Sequence, residues 1–190
     1  MKTKIKQNES ALVCSAIKGN KAALQDLLER NWSWLKALVY SIAGRGELDD
    51  ILQEVCLRVI ARINTLREPE RFRPWLAVLA RREALQYRRR RKKGAVPLTE
   101  AVAEQQCDER AGKFVEGMEQ AEQCRRILES AGRLPSKYRE VFMLAHSKDI
   151  SYSDMAEVLE IPITTVQIRL VRARRMIHEE LTERSTVTEQ

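Results

Sequence analysis

The best-organised pattern of apolar and polar positions lies in the last third of the chain. From residue 150 it reads ISYSDMAEVLEIPITTVQIRLVRARRMI, which predicts a short helix, a tight turn and a basic second helix. Ser151 can cap the first helix, and Asp154 three residues on completes a variant capping box. Glu160-Ile161-Pro162 interrupts the periodicity, and Pro162 suits the first turn of a new helix. On that helix Ile163, Val166, Leu170, Ala173, Ile177 and Leu181 share one face at 3.6-residue spacing. Thr164, Gln167, Ile168, Val171, Arg172 and Arg175 share the opposite face. It carries hydrogen bonders and guanidiniums and no acid, as an element entering a DNA major groove would. An amphipathic helix with a solvated arginine-rich face would show the same pattern.

The remainder of the chain also reads as helix, with no alternating strand segment. Ser10 can cap a helix ending at Ile17, and Gly19-Asn20 marks a turn. Asn20 can cap a long helix carrying Ala23, Leu24, Leu27, Leu28, Leu35, Leu38, Val39 and Ile42, which Gly44 and Gly46 stop. Asp49 or Asp50 opens a third helix running to about Asn64. A polar loop from Thr65 to Glu70 leads to a fourth helix that starts near Arg73 and stops at Gly94. Helix resumes near Glu119, again after Leu134-Pro135, and the tail after Leu181 is expected to fray.

Two of these helices have informative outer faces. On the third, Ile51, Leu52, Val55, Val59 and Ile63 form a core stripe. Asp50, Gln53, Glu54, Leu57, Arg58 and Ala61 face outward, and a leucine inside such a polar patch suits protein–protein contact, although single exposed leucines are ordinary. On the fourth, Phe72, Trp75, Leu76 and Leu79 are core, and the stripe then gives way to Arg81, Arg82, Arg88 and Arg89. That is more charge than a helix dipole calls for and suits phosphate contact; a solvated basic helix end is the plainer alternative.

Charge divides the chain. Residues 81–93 hold eight bases and one acid, while residues 94–124 hold seven acids and two bases with weak apolar periodicity. The second stretch reads as a linker between helical domains. The whole chain of 190 residues carries a formal charge of +7, with 44% hydrophobic residues, so it can bury real cores and favour polyanionic partners. No apolar run approaches the roughly 20 residues of a membrane span, and the N-terminus lacks the apolar region of a signal peptide. A cytoplasmic protein without membrane insertion is expected. Cys14, Cys56, Cys107 and Cys124 form no CxxC pair, and His146 and His178 lack ligand spacing, so neither a metal site nor a cofactor is expected.

Three segments in order, DDILQEVCLRVIARI at 49–63, FRPWLAVLARREALQYRRRR at 72–91, and LPSKYREVFML with ISYSDMAEVLEIPITTVQIRLVRAR at 134–144 and 150–174, resemble the sigma-70 family of bacterial RNA polymerase sigma factors in its extracytoplasmic-function form. The resemblance spans nearly the whole chain. It implies an all-α protein of two small domains. Residues 1–93 would be a region 2 bundle, 94–120 an acidic linker, and 121–190 a region 4 helix-turn-helix. It implies a transcription initiation factor without catalytic residues, whose partners are core RNA polymerase and promoter DNA. Asp50, Gln53, Glu54 and Leu57 would meet the β′ clamp helices. Residues 64–71 and the arginines Arg71, Arg73, Arg81, Arg82, Arg88 and Arg89 would melt and hold the −10 element. Thr164, Thr165, Gln167, Ile168, Arg169, Val171, Arg172, Arg174 and Arg175 would engage the −35 element, and the β flap would be a further contact. An anti-sigma factor is a further candidate partner. Arg82, Gln86, Gln167, Ile168, Asp149 and Glu160 depart from the family's usual residues, which bears on the promoter sequence read.

Two other readings compete. A helix-turn-helix regulator that binds duplex DNA without joining polymerase could share the C-terminal half, but a sensing or receiver domain would bring strands. A recombinase or nuclease would need a nucleophile or a carboxylate cluster. Asp49, Asp50 and Glu54 are the only close acids, and they lack a partner histidine or a phosphate-binding loop.

Overall fold

Capping and glycine chemistry set the first long helix. The Asn20 side chain accepts the Ala23 N–H at 3.2 Å, satisfying one of the amides that a helix start leaves unpaired. The helix ends at Gly44, whose φ of 81° is open to glycine and strained for other residues. The computed structural model describes residues 2–44, 47–94, 126–147 and 150–188. Its helices are α1 (Lys2–Ile17), α2 (Lys21–Ala43), α3 (Leu48–Arg62), α4 (Phe72–Gly94), α5 (helical over 126–133), α6 (Ser136–Ala145), α7 (Tyr152–Leu159) and α8 (Ile163–Thr188). Single 3₁₀ turns at Ile63–Thr65 and Pro69–Arg71 carry the chain from α3 into α4. There is no strand among the described residues. The expected linker at 94–120, apart from Gly94, lies outside them, as do Gly46, Asp149, Cys107 and Cys124.

α1 to α4 form a first lobe in which α2 packs against α1, α3 and α4. Leu27, Leu35, Leu38, Leu52, Val55, Val59, Phe72 and Leu76 are its buried centre, each contributing roughly 1.5–3 kcal/mol by leaving water. Two polar residues are buried with them and bond back to the helix. Asn31 donates to the Leu27 carbonyl at 2.8 Å and Ser41 to that of Leu38 at 2.7 Å. Phe72 and Trp75 stack at 6.0 Å between ring centroids, so this aromatic pair is packing. α3 opens at Glu47 in a left-handed conformation, φ 60°. The Tyr87 hydroxyl of α4 donates to the Glu47 carboxylate, which raises the Tyr87 pKa above its ordinary value.

α5 to α8 form the second lobe. Ser151 and Asp154 make the expected capping box: the Asp154 N–H meets Ser151 Oγ at 3.1 Å and the Ser151 N–H meets Asp154 Oδ2 at 2.9 Å. The turn closes on Glu160 at φ 58°, ψ 44°, a left-handed residue that carries a side chain where glycine would be relaxed. Val166, Leu170, Ala173 and Ile177 of α8 are buried against Val141, Phe142, Leu144 and Met155.

Three expectations need correction. Ser10 lies inside α1 and caps nothing, because α1 already begins at Lys2; the Lys, Gln and Glu residues before it favour helix without showing an apolar stripe. Ile163 is 44% exposed. A helical side chain leans toward the turn before its own Cα, and the first residue of α8 has no preceding turn to lie over. The tail does not fray at Leu181, because α8 continues to Thr188. There Glu180 is held by Arg133 and by Ser130, and Thr182 bonds the His178 carbonyl at 2.8 Å.

The two lobes pack on each other. α2 lies against α6 and α4 against α7, and one buried cluster runs through both lobes.

Candidate protein and nucleic-acid interfaces

Each candidate surface is built on a helix whose opposite side is pinned in the core. With Ile51, Leu52, Val55 and Val59 buried, α3 turns Asp50, Gln53, Glu54 and Leu57 to solvent. Leu57 is 53% exposed and Ile60, one turn on, 58%. Ile60 escaped notice in the sequence, although its place off the core stripe and three residues after Leu57 was the available signal. Arg58 ties this face together. Its guanidinium reaches Glu54 at 3.5 Å and Glu83 of α4 at 3.3 Å.

The arginines at the start of α4 are occupied. Arg71, in the 3₁₀ turn, meets Asp154 at 3.4 Å and Glu157 at 2.5 Å, both on α7. The Glu157 bond, with the nearby negative charge, raises the Arg71 pKa above its ordinary value. Arg73 meets Glu9 of α1 at 3.1 Å. Arg81 meets Glu140 of α6 at 3.3 Å, with both side chains largely buried. Farther along, Arg82 and Arg89 are exposed and Arg88 half-buried.

The outer face of α8 is open. Thr164, Gln167, Ile168, Val171, Arg172, Arg174 and Arg175 are exposed, and Thr165 and Arg169 half-buried. Ile168 at 52% and Val171 at 65% are apolar side chains left in water. Two of the arginines are oriented by neighbours. Arg175 meets Glu179 at 3.4 Å. Arg172 hydrogen-bonds the Tyr138 hydroxyl of α6, which lowers the Tyr138 pKa from its ordinary value. Lys137 lies 5.0 Å from the centre of the same ring.

No group of three His, Cys, Asp or Glu residues that could hold a metal ion occurs among the described residues. Burial pushes the Cys56 thiol pKa up, away from reactive thiolate. No described helix is long and apolar enough to cross a membrane.

The arrangement defines a two-lobed, all-α nucleic-acid-binding protein with a helix-turn-helix in its second lobe. Residues 27–94 match the Sigma-70 region 2 family and residues 124–177 the Sigma-70 region 4 family. The sequence is 24% identical over 180 residues to an ECF RNA polymerase sigma-E factor of Haemophilus influenzae, covering 91% of this chain and 95% of that protein. It is 26% identical over 181 residues to the RNA polymerase sigma factor SigV of Bacillus subtilis, covering 95% and 97%. The fold is similar to that of CnrH, solved in complex with the cytosolic domain of CnrY (TM-score 0.60, 23% identity, covering 92% of this chain and 97% of that one). It is likewise similar to the sigma factor RpoE of Bartonella quintana, solved with the anti-sigma factor NepR (TM-score 0.61, 20% identity, covering 83% and 98%). The chain belongs to the sigma-70 family, in its extracytoplasmic-function group, and is a transcription initiation factor. A regulator acting apart from polymerase is not favoured, since the matches span both lobes.

Proposed function

We propose that the outward face of α3 binds core RNA polymerase, and that Asp50, Gln53, Glu54 and Leu57, with Ile60, dock on the β′ clamp helices. The observation that carries this reading is the exposed Leu57–Ile60 pair rimmed by Asp50, Gln53 and Glu54. A small apolar centre within a polar rim is the usual anatomy of a binding surface. Residues 64–71 and the α4 arginines capture the −10 strand, where a flipped base must be held against an unstacking cost of a few kcal/mol. α8 reads the −35 element from the major groove. There Gln167 is able to pair with adenine and Arg172 with guanine, while Ile168 and Val171 meet thymine methyls. Arg169 and Arg174 flank this face toward the phosphates.

In this reading residues 1–93 hold the polymerase and −10 contacts, 94–120 link, and 121–190 hold the −35 contacts and meet the β flap. Polymerase supplies all the bond-making chemistry, so the factor acts in the cytoplasm by binding alone. An anti-sigma factor, as carried by the solved relative from Bartonella quintana, is a fitting further partner. The test is co-purification of Asp50→Lys with Glu54→Lys with core polymerase. Binding should be lost while helical content persists, since exposed substitutions usually shift stability by only about ±0.5 kcal/mol. Wild-type stoichiometry in the double variant would refute the assigned face.

A further inference from the structure

We propose that Tyr138 of α6 is a positioning residue of the DNA-reading surface, holding the Arg172 guanidinium where it meets a base edge and so setting the base preference of a helix to which it does not belong. The proposal rests on the major-groove reading of α8 made above. Tyr138 stands in the first turn of α6, and α6 packs along α8. Its backbone N–H bonds the Pro135 carbonyl at 2.9 Å. Its half-buried ring lies against the buried cluster that includes Val166, Leu170 and Ala173 of α8. Backbone and ring are therefore both fixed, and the hydroxyl is presented from a rigid base. That hydroxyl accepts from the Arg172 guanidinium and from Lys137, whose ammonium lies 5.0 Å from the ring centre. Its neighbour Arg139 is committed elsewhere, donating to the Ser41 carbonyl at the end of α2 at 2.7 Å and to the Gly132 carbonyl at 2.6 Å.

The donor count of arginine makes this arrangement compatible with reading DNA. A guanidinium carries five N–H donors and a guanine edge takes two of them, so one can be given to a phenol while the fork stays free. An exposed arginine left unheld is ordered only on binding, and that ordering is subtracted from affinity. Arg175, one turn further along the same face, shows the other way of holding such a side chain. It pairs at 3.4 Å with Glu179 of its own helix, and both side chains are well exposed. A carboxylate fixes an arginine by neutralising it, whereas a phenol oxygen fixes it and leaves the full charge to the DNA. Arg172 is thus the better prepared of the two to discriminate a base, and it owes that preparation to α6.

The test uses holoenzyme carrying Tyr138→Phe, which keeps the ring and its packing and removes only the hydroxyl. Sequencing the bound members of a promoter library randomised over the −35 element gives the base preference at each position, and fluorescence anisotropy gives affinity for the preferred site. Arg172→Ala, Arg175→Ala and the double variant of each with Tyr138→Phe complete two mutant cycles. Tyr138→Phe should lower affinity for the preferred site about two- to tenfold. It should relax preference at the base pair that Arg172→Ala relaxes and leave the other positions as they were. It should add nothing to Arg172→Ala and add in full to Arg175→Ala. An unchanged preference, or effects of Tyr138→Phe and Arg172→Ala that simply add, overturns the positioning role. So does an equal loss for every member of the library, which is what a defect in folding would give. If Arg172→Ala itself relaxes no position, the major-groove reading fails and the role of Tyr138 goes with it. A specific effect of Arg172→Ala beside a silent Tyr138→Phe overturns the positioning alone.

Discussion

Two neighbouring surfaces of the first lobe, the outer face of α3 and the start of α4, are built alike and presented differently. Both stand on the same core, with Val55 and Val59 beneath one and Phe72 and Leu76 beneath the other. The α3 face keeps Leu57 and Ile60 in water, whereas Arg71 and Arg81 of the α4 surface are paired with acids of the second lobe. On the roles proposed above, binding a preformed helical partner needs only a rigid patch, which can stay exposed at the cost of a small apolar area. Holding a single strand needs strong cationic donors, which in a free protein attract every polyanion present. The difference suggests why one face is left open and the other is closed over.

Three changes test this contrast, beginning with the largest effect. Leu57→Asp should weaken binding to core polymerase by about 2–4 kcal/mol, as removal of a central anchor does, without altering the radius of gyration of the free chain. Competition for core against the unmodified factor measures it, and near-wild-type affinity would mean that the open face is idle. Arg139→Gln removes the donor that spans Ser41 and Gly132. It should cost about 1–3 kcal/mol and separate one calorimetric transition into two, while core binding through α3 is retained; a single sharp transition would show that this donor does not govern the coupling of the lobes. Glu160→Gly should relieve the left-handed turn between α7 and α8, raising stability by about 1 kcal/mol. In this case the gain should appear only in the second lobe's hydrogen exchange, and protection spreading into α2 would reveal tighter coupling between the lobes than the ion pairs imply.

What was legible in the sequence follows the range of each interaction. The Asn20 cap, the Ser151–Asp154 box and the buried stripes of α3 and α8 are set by residues three or four apart, and periodicity reports such spacing directly. Ser10 misled because polar helix formers before it carry no apolar stripe. Near the end of α8, Glu180 is held by Arg133 and Ser130, some fifty residues earlier in the chain. The packing of the lobes was the least visible feature. Glu140 looks like any polar position on a short helix, yet it is buried at the seam, where it pairs with Arg81. Arg71 and Arg81 showed their positive charge in the sequence, but nothing local reveals that carboxylates of the same chain occupy them. Ile60 was legible in principle, because the α3 stripe already assigned its side of the helix to solvent.

The seam between the lobes joins residues that are made at different times. Arg71 and Asp154 are separated by 83 residues, a length that ribosomes synthesise in about 4–17 s at roughly 5–20 residues per second. The first lobe draws on short-range contacts and folds far faster than that. During each round of synthesis it is complete once Gly94 has been made, and Arg71 and Arg81 then lack their carboxylate partners until Glu140, Asp154 and Glu157 follow. Newborn chains on a polysome would be at their most avid for nucleic acid in that interval, and each would grow quieter as its own C-terminal half arrives.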